Sequence, residues 1–182
     1  PIEEAVIELL AEAGATMATA ESCTGGGIAN SITNMPGSST VFREGFVTYS
    51  NEAKTRWLGV SPELIEQHGA VSELVVRAMA EGCLKVTGAT HASAGGGIAG
   101  PGGGSDDKPV GTVCIGIASE GEEPFVKRYV NPMDRLSFKS RVSRLALDLL
   151  RRRLKGVALD YRAERSLWFS LPKVANALVF WR

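Results

Sequence analysis

The chain has 182 residues, 44% hydrophobic and 22% charged, which is single-domain size with enough apolar material to bury a core. Twenty basic and twenty acidic side chains give a formal net charge of zero, so the global field of a nucleic-acid or membrane-surface binder is excluded and any charged ligand must be held by a local site. Three scattered cysteines, no apolar run of the roughly 18 residues a membrane span needs and an acidic opening segment exclude a disulfide scaffold, a zinc ribbon, a membrane helix and a signal peptide, leaving a soluble cytoplasmic protein as the expectation.

In chain order, Ile2, Ala5, Val6, Leu9 and Leu10 recur at helical spacing and Gly14 stops them, which predicts an opening amphipathic helix. Residues 16–20 read as a short strand, residues 24–34 as a glycine-rich helix start with Ile28, Ala29 and Ile32 on one face, and residues 42–50 as a second strand. Residues 51–58 and 61–68 read as short capped helices, and residues 72–86 as a longer amphipathic helix. Residues 89–94 predict a buried strand of small side chains. A glycine-rich loop follows, then adjacent strands at 110–118 and 124–130 and a terminal helix at 136–154. This alternation predicts an α/β fold, a three-layer α/β/α sandwich around a mixed, mostly parallel sheet, with ligands beyond the carboxyl ends of the strands.

Three junctions carry chemistry. Ala20-Glu21-Ser22-Cys23-Thr24-Gly25-Gly26-Gly27 runs from strand into helix, where side chains meet ligand and glycines let an anion approach the backbone; the plainer alternative is that Ser22 and Thr24 merely cap the helix. Thr48-Tyr49-Ser50-Asn51-Glu52-Ala53-Lys54 is a second such junction, with Asn51 the expected N-cap. Lys54 then falls in the first turn, where the helix dipole favours the neutral amine that a serine nucleophile needs as its base; an exposed lysine beside Glu52 is the alternative. Gly95 to Gly104 holds seven glycines in ten residues. It lacks the helix a dinucleotide fingerprint requires, so it reads as a flexible wall able to wrap a ligand, or as a plain connection.

Cys23 is an alternative thiol nucleophile, but neither His68 nor His91 is tied to it by any motif, and no metal-ligand spacing is visible. On the terminal helix Arg141 and Arg144 share a face and can grip one phosphate, whereas the Arg151 to Arg153 run is the pattern of a solvated face.

Together these strings resemble the C-terminal domain of the competence/damage-inducible protein CinA, over residues 1–154. His68-Gly69-Ala70-Val71-Ser72, Gly97-Ile98-Ala99-Gly100-Pro101-Gly102-Gly103 and Lys108-Pro109-Val110-Gly111-Thr112-Val113 add to the two junctions. The resemblance implies a cofactor-independent, metal-independent amidohydrolase that converts nicotinamide mononucleotide to the acid nucleotide and ammonia. It implies Ser22 as nucleophile, Lys54 as its base and Tyr49 as the group completing the proton network. Thr24, Gly25, Gly26, Asn51, Gly96, Gly97, Gly100, Arg141 and Arg144 are the expected substrate contacts. A homo-oligomer, a dimer first of all, is expected, with no nucleic-acid or membrane partner.

One departure stands out. Members of the family usually carry a threonine where this chain has Gly96, and that hydroxyl counts among their active-site groups. The competing function is therefore a nucleotide-binding module weakened in catalysis at Gly96 and acting through a partner. Residues 155–182 lie beyond the resemblance; their aromatic side chains, Trp168, Phe169, Phe180 and Trp181, are expected to pack on the domain or on a neighbouring copy.

Overall fold

The computed structural model describes residues 1–160. Most of the 155–182 extension, with Trp168, Phe169, Phe180 and Trp181, therefore lies outside the described residues.

Five strands form one sheet: β1 (Met17–Glu21), β2 (Phe42–Val47), β3 (His91–Gly97), β4 (Thr112–Ser119) and β5 (Phe125–Val130), in the order β2-β1-β3-β4-β5. Strand β1 is parallel to both its neighbours, and β4 is antiparallel to both of its own. The pairings are thus evenly mixed rather than mostly parallel, although β4 alone runs against the other strands. The cause is local. The short Ser119-to-Phe125 connection makes β4 and β5 a hairpin, and β4 returns beside β3 against its direction.

Six α-helices surround the sheet among the described residues: α1 (Ile2–Glu12), α2 (Gly27–Thr33), α3 (Asn51–Leu58), α4 (Pro62–His68), α5 (Glu73–Thr87) and α6 (Arg135–Leu154). None is long and apolar enough to cross a membrane. Alternation along the strands separates two cores. Met17, Val113, Ile115 and Ile117 pack with α1, α2 and α6, while Ala18, Ala20, Cys114 and Ala118 pack with α3, α4 and α5.

The β1-to-β2 connection therefore crosses one side of the sheet and the β2-to-β3 connection the other. Since β2 and β3 flank β1, a crevice opens at the carboxyl ends of β1 and β3, the usual place for a ligand in such sheets.

Two glycines fix the walls of that crevice by close approach. A Cβ at Gly82 of α5 would lie 2.0 Å from the Leu58 carbonyl oxygen, so a bare backbone is what lets the end of α3 press onto α5. A Cβ at Gly97 would lie 2.8 Å from the Thr112 carbonyl oxygen. The expected strand at 89–94 is displaced to His91–Gly97 for the same reason: Gly95, Gly96 and Gly97 are ladder residues, paired with Ile115, Cys114 and Val113. They are not the flexible wall that their composition suggested. The flexible-looking loop begins only after them.

Candidate active site

Strand β1 delivers two consecutive residues to opposite sides of the sheet. Glu21 goes to the α2 side and is fully buried; its carboxylate accepts hydrogen bonds from Thr24 Oγ1 at 2.6 Å, Ile28 N at 3.0 Å and Ala29 N at 2.9 Å. It thereby caps α2, whose own N-cap, Gly26, has no side chain to offer. Ser22 and Thr24 do not cap the helix, and the helix starts at Gly27 rather than at Thr24. Glu21 was missed as a site residue. The available signal was a glutamate ending an apolar strand directly ahead of a glycine turn.

Ser22 turns to the α3 side and remains partly exposed. Its N–H donates to Gly95 O at 3.0 Å, and Gly25 N–H donates back to Ser22 O at 3.0 Å, so the loop after β1 is pinned to β3 and closed on itself. These two amides are engaged and cannot serve as oxyanion donors.

Lys54 meets Ser22 from α3. The helix is capped by Ser50, whose Oγ accepts from Ala53 N at 3.1 Å; Asn51, the expected cap, is instead its first residue and is exposed. Lys54 stands one turn in and is only 1% exposed, among the largest fully buried side chains. Its Nζ lies 3.5 Å from Ser22 Oγ and donates to the carbonyls of Thr48 at 2.9 Å, Tyr49 at 3.4 Å and Ser50 at 3.4 Å. Burial pushes its pKa below the ordinary lysine value, against the weaker opposing pull of the Cys23 and Glu52 charges.

Those carbonyls favour a charged ammonium, yet they also fit a neutral amine. Two N–H groups can be spent on the carbonyls, which leaves the lone pair for the Ser22 hydroxyl proton. The 3.5 Å contact is long for a hydrogen bond, as catalytic pairs often are before substrate tightens them.

Tyr49 behaves differently from its expected part. Its ring is 59% exposed, and its hydroxyl accepts from Arg135 at 3.1 Å, while its carbonyl serves Lys54. Arg135 also donates to Gly100 O at 2.8 Å, tying the start of α6 to the glycine loop. No motif in the sequence singles out Arg135.

Gly96 shares the Ser22 side of the sheet. A Cβ there would lie 3.2 Å from Val76 Cγ2 and 3.5 Å from Ala70 O, so a side chain at this position would meet α5 and the Ala70 carbonyl. Gly97 is held by its close approach to β4, and Gly100 is buried with φ of +75°.

Thr24, Gly25 and Gly26 lie together with Arg144 in a cleft against α6. Arg141 does not join them; its Nε donates to Asn131 Oδ1 at 3.4 Å, and it lines a separate groove of about 810 Å³ with Arg144, Ile2 and Asp148. Cys23 is excluded as nucleophile by burial, which pushes its thiol up to about 12 and keeps it protonated. His91 begins β3, at the far end of the sheet from Ser22, and its Nδ1 is hydrogen-bonded to Thr90 Oγ1 at 2.9 Å; His68 is exposed at the end of α4.

Comparison with known proteins follows this geometry. The CinA C-terminal domain matches residues 1–154. A CinA-like protein of Chloroherpeton thalassium is 54% identical over 159 residues, covering 86% of this chain and 38% of that protein. A putative competence-damage inducible protein of Symbiobacterium thermophilum is 59% identical over 122 residues, 67% of this chain and 29% of its own length. The chain thus spans well under half the length of these curated relatives. Among solved structures, the competence/damage inducible protein CihA of Agrobacterium tumefaciens superposes with a TM-score of 0.80 at 40% identity, covering 85% of this chain and 95% of that one. A CinA superfamily protein of Klebsiella pneumoniae gives 0.82 at 34%, covering 85% and 96%.

Proposed function

The chain belongs to the CinA C-terminal domain family, and from that premise we propose that it is an amidohydrolase, deamidating nicotinamide mononucleotide to nicotinate mononucleotide and ammonia. The observation that carries the reading is a lysine buried to 1% exposure with its Nζ 3.5 Å from a serine hydroxyl at the carboxyl end of a central strand. Among the described residues this lysine has no ion pair, and its burial outweighs the opposing pull of Glu52 and favours the neutral base.

In the proposed cycle Lys54 Nζ takes the Ser22 Oγ proton as the oxygen attacks the carboxamide carbon. The tetrahedral adduct collapses to the Ser22 ester. The departing nitrogen collects the proton from Lys54 and leaves as ammonia. A water then attacks the ester, giving its proton to Lys54; that proton returns to Ser22 Oγ as the carboxylic acid is released. The Tyr49 carbonyl keeps Lys54 oriented, and the Tyr49 hydroxyl, paired with Arg135, stands at the rim where substrate would enter. The chain's own residues do this work in the proposal, with no cofactor or metal invoked.

Ammonia release from nicotinamide mononucleotide, abolished in Ser22→Ala, is the expected result. Background ammonia at high enzyme concentration overturns the reading.

One observation favours the second function, a nucleotide-binding module with weakened turnover: the missing hydroxyl at Gly96. Under that alternative the nucleotide raises the melting temperature while ammonia stays at background. The Cβ of Gly96→Thr requires Val76 to yield by a few tenths of an ångström, and the restored hydroxyl is expected to raise turnover about tenfold or more.

We also place the protein in the cytoplasm as a homodimer. Val47, Tyr49 and Leu136, the last 77% exposed, give the site an apolar rim that a second copy can cover. A strict monomer in light scattering of the full chain would remove this part of the proposal.

A further inference from the structure

A glycine inside a helix needs a reason, because it favours the helical state less than any residue except proline. Gly82 stands in the interior of α5, and what it faces is backbone: a Cβ there would lie 2.0 Å from Leu58 O, 2.9 Å from Leu58 C and 3.2 Å from Leu58 Cβ. A flexible side chain could swing away from such a contact, but a carbonyl at a helix end moves only with its helix. Any side chain at position 82 therefore displaces the end of α3 by about an ångström or more, the gap between this separation and ordinary van der Waals contact.

Lys54 is built into that end of α3. Its carbonyl accepts from the N–H of Val60 at 3.3 Å and from the capping N–H of Gly59, so the turn that closes the helix after Leu58 is bonded to Lys54. At its start the helix is held by the junction with β2, where Thr48 N–H donates to Glu21 O at 2.8 Å. A push at Leu58 tilts α3 about that junction and takes Lys54 with it.

The other face of α5 is seated closely on the sheet. Val76 rests across two bare strand positions: a Cβ at Gly116 of β4 would lie 3.2 Å from its Cγ1, and one at Gly96 of β3 would lie 3.2 Å from its Cγ2. Next to Gly96, the Gly95 carbonyl accepts from Ser22 N at 3.0 Å. Strand β3 is thus the common reference for both partners, for Ser22 directly and for Lys54 by way of Val76, Gly82 and Leu58.

We propose that Gly82 is a positioning residue that acts through Lys54: its bare backbone sets the depth at which α3 delivers the amine to Ser22. The proposal rests on the amidohydrolase reading. The Ser22–Lys54 contact is 3.5 Å long, so a tilted α3 puts the amine out of reach of the hydroxyl proton, and a misplacement of about 1 Å can cost up to about 10²-fold in rate. The same tilt lets water reach a side chain that is 1% exposed. Burial is what lowers the Lys54 pKa, against the pull of Cys23 and Glu52, so re-exposure raises it.

Gly82→Ala is the test, because alanine is the better helix former and, without the clash, would leave both fold and rate intact. At a temperature where circular dichroism shows the variant folded, kcat for nicotinamide mononucleotide is expected to fall about tenfold or more, with KM within about threefold of wild type. The acid limb of its pH–rate profile should move to higher pH.

A second readout needs no turnover. NMR titration of the lysine side chains, with the Lys54 signal assigned from its loss in Lys54→Met, is expected to give a higher Lys54 midpoint in Gly82→Ala than in wild type. An unmoved midpoint in the folded variant overturns the proposal whatever the rate does, since rate lost without a displaced amine is general destabilisation; an unchanged kcat overturns it as well. Should Gly82→Ala not fold, Leu58→Ala loosens the same contact from the α3 side and is held to the same outcomes. Should the wild type release no ammonia, the amidohydrolase reading fails, and the Lys54 midpoint alone decides whether Gly82 places the amine.

Discussion

Glu21 and Ser22 are neighbours in sequence and opposites in structure. On the α2 side of the sheet, Glu21 is fully buried and its carboxylate takes three short hydrogen bonds. On the α3 side, Ser22 meets Lys54 at 3.5 Å, the Thr48 hydroxyl is buried without a hydrogen-bond partner among the described residues, and Gly96 presents no side chain. Around the loop, the Glu21 side spends its carboxylate on holding the backbone, and the Ser22 side leaves the Thr48 hydroxyl underbonded. A buried carboxylate satisfied by three donors is rigid, whereas a neutral lysine amine that spends its two N–H groups on carbonyls keeps a lone pair for chemistry. The loop is therefore fixed from behind and reactive in front.

The largest expected effect falls on the reactive side. Lys54→Arg keeps the positive charge but cannot release it in the working range, so hydrolysis should drop about 10²-fold or more while circular dichroism reports a folded domain. Lys54→Met provides a second, uncharged version should arginine not fit. The wild-type profile sharpens the same point. Burial lowers the Lys54 pKa from 10.5, and the neutral amine is the active form, so kcat/KM should be full above the lowered value and fall as pH drops through it. Turnover that is near normal in folded Lys54→Arg breaks the contrast, because the lysine would then be structural like Glu21.

The second effect tests the supporting side. Glu21→Gln keeps one acceptor oxygen but aims an NH2 group at donors, leaving at least one of Thr24 Oγ1, Ile28 N and Ala29 N unsatisfied. A loss of about 1.5–3 kcal/mol in urea unfolding is expected, with turnover at permissive temperature falling far less than in Lys54→Arg. Unchanged stability together with abolished turnover would move Glu21 across to the chemical side.

How much of this was legible in the sequence divides along the same line. The strand-to-helix junctions carrying Ser22 and Lys54 follow from capping residues, glycines and apolar periodicity, and the helix expected at 51–58 is α3 as found. Position within the chain does not reveal that Glu21 reaches seven and eight residues ahead to cap α2, since side-chain capping is ordinarily read from the residue just before a helix. Glycine misled at β3. Gly95, Gly96 and Gly97 look like a loop by composition but are ladder residues; a Cβ at Gly97 would crowd β4 and one at Gly96 would crowd α5, whereas Gly95 has open space beside it. On α6 the spacing put Arg141 and Arg144 on one face, without showing where that face lands. Which of its residues face the nucleophile loop depends on where the helix lands, and that is set by its packing on α1 and α2 rather than by spacing alone.

The smallest expected effect concerns Thr48, which sits between the two regimes. Its N–H donates to Glu21 O at 2.8 Å and its carbonyl accepts from Lys54 Nζ at 2.9 Å, so the backbone of this one residue joins the supporting strand to the base. Its hydroxyl joins nothing, although the residue is 1% exposed. A buried hydroxyl with no partner costs free energy that a methyl group of the same shape does not. Thr48→Val leaves both backbone bonds in place, so it should raise stability by up to about 1 kcal/mol and leave turnover within about threefold of wild type. Thermal melts and steady-state rates on the same preparation separate the cases. Stability gained with turnover retained means that Thr48 acts through its backbone alone. A folded, more stable variant with turnover lost by about tenfold or more would mean that the hydroxyl is held unpaired for substrate, and the underbonded side would then have three reactive members instead of two.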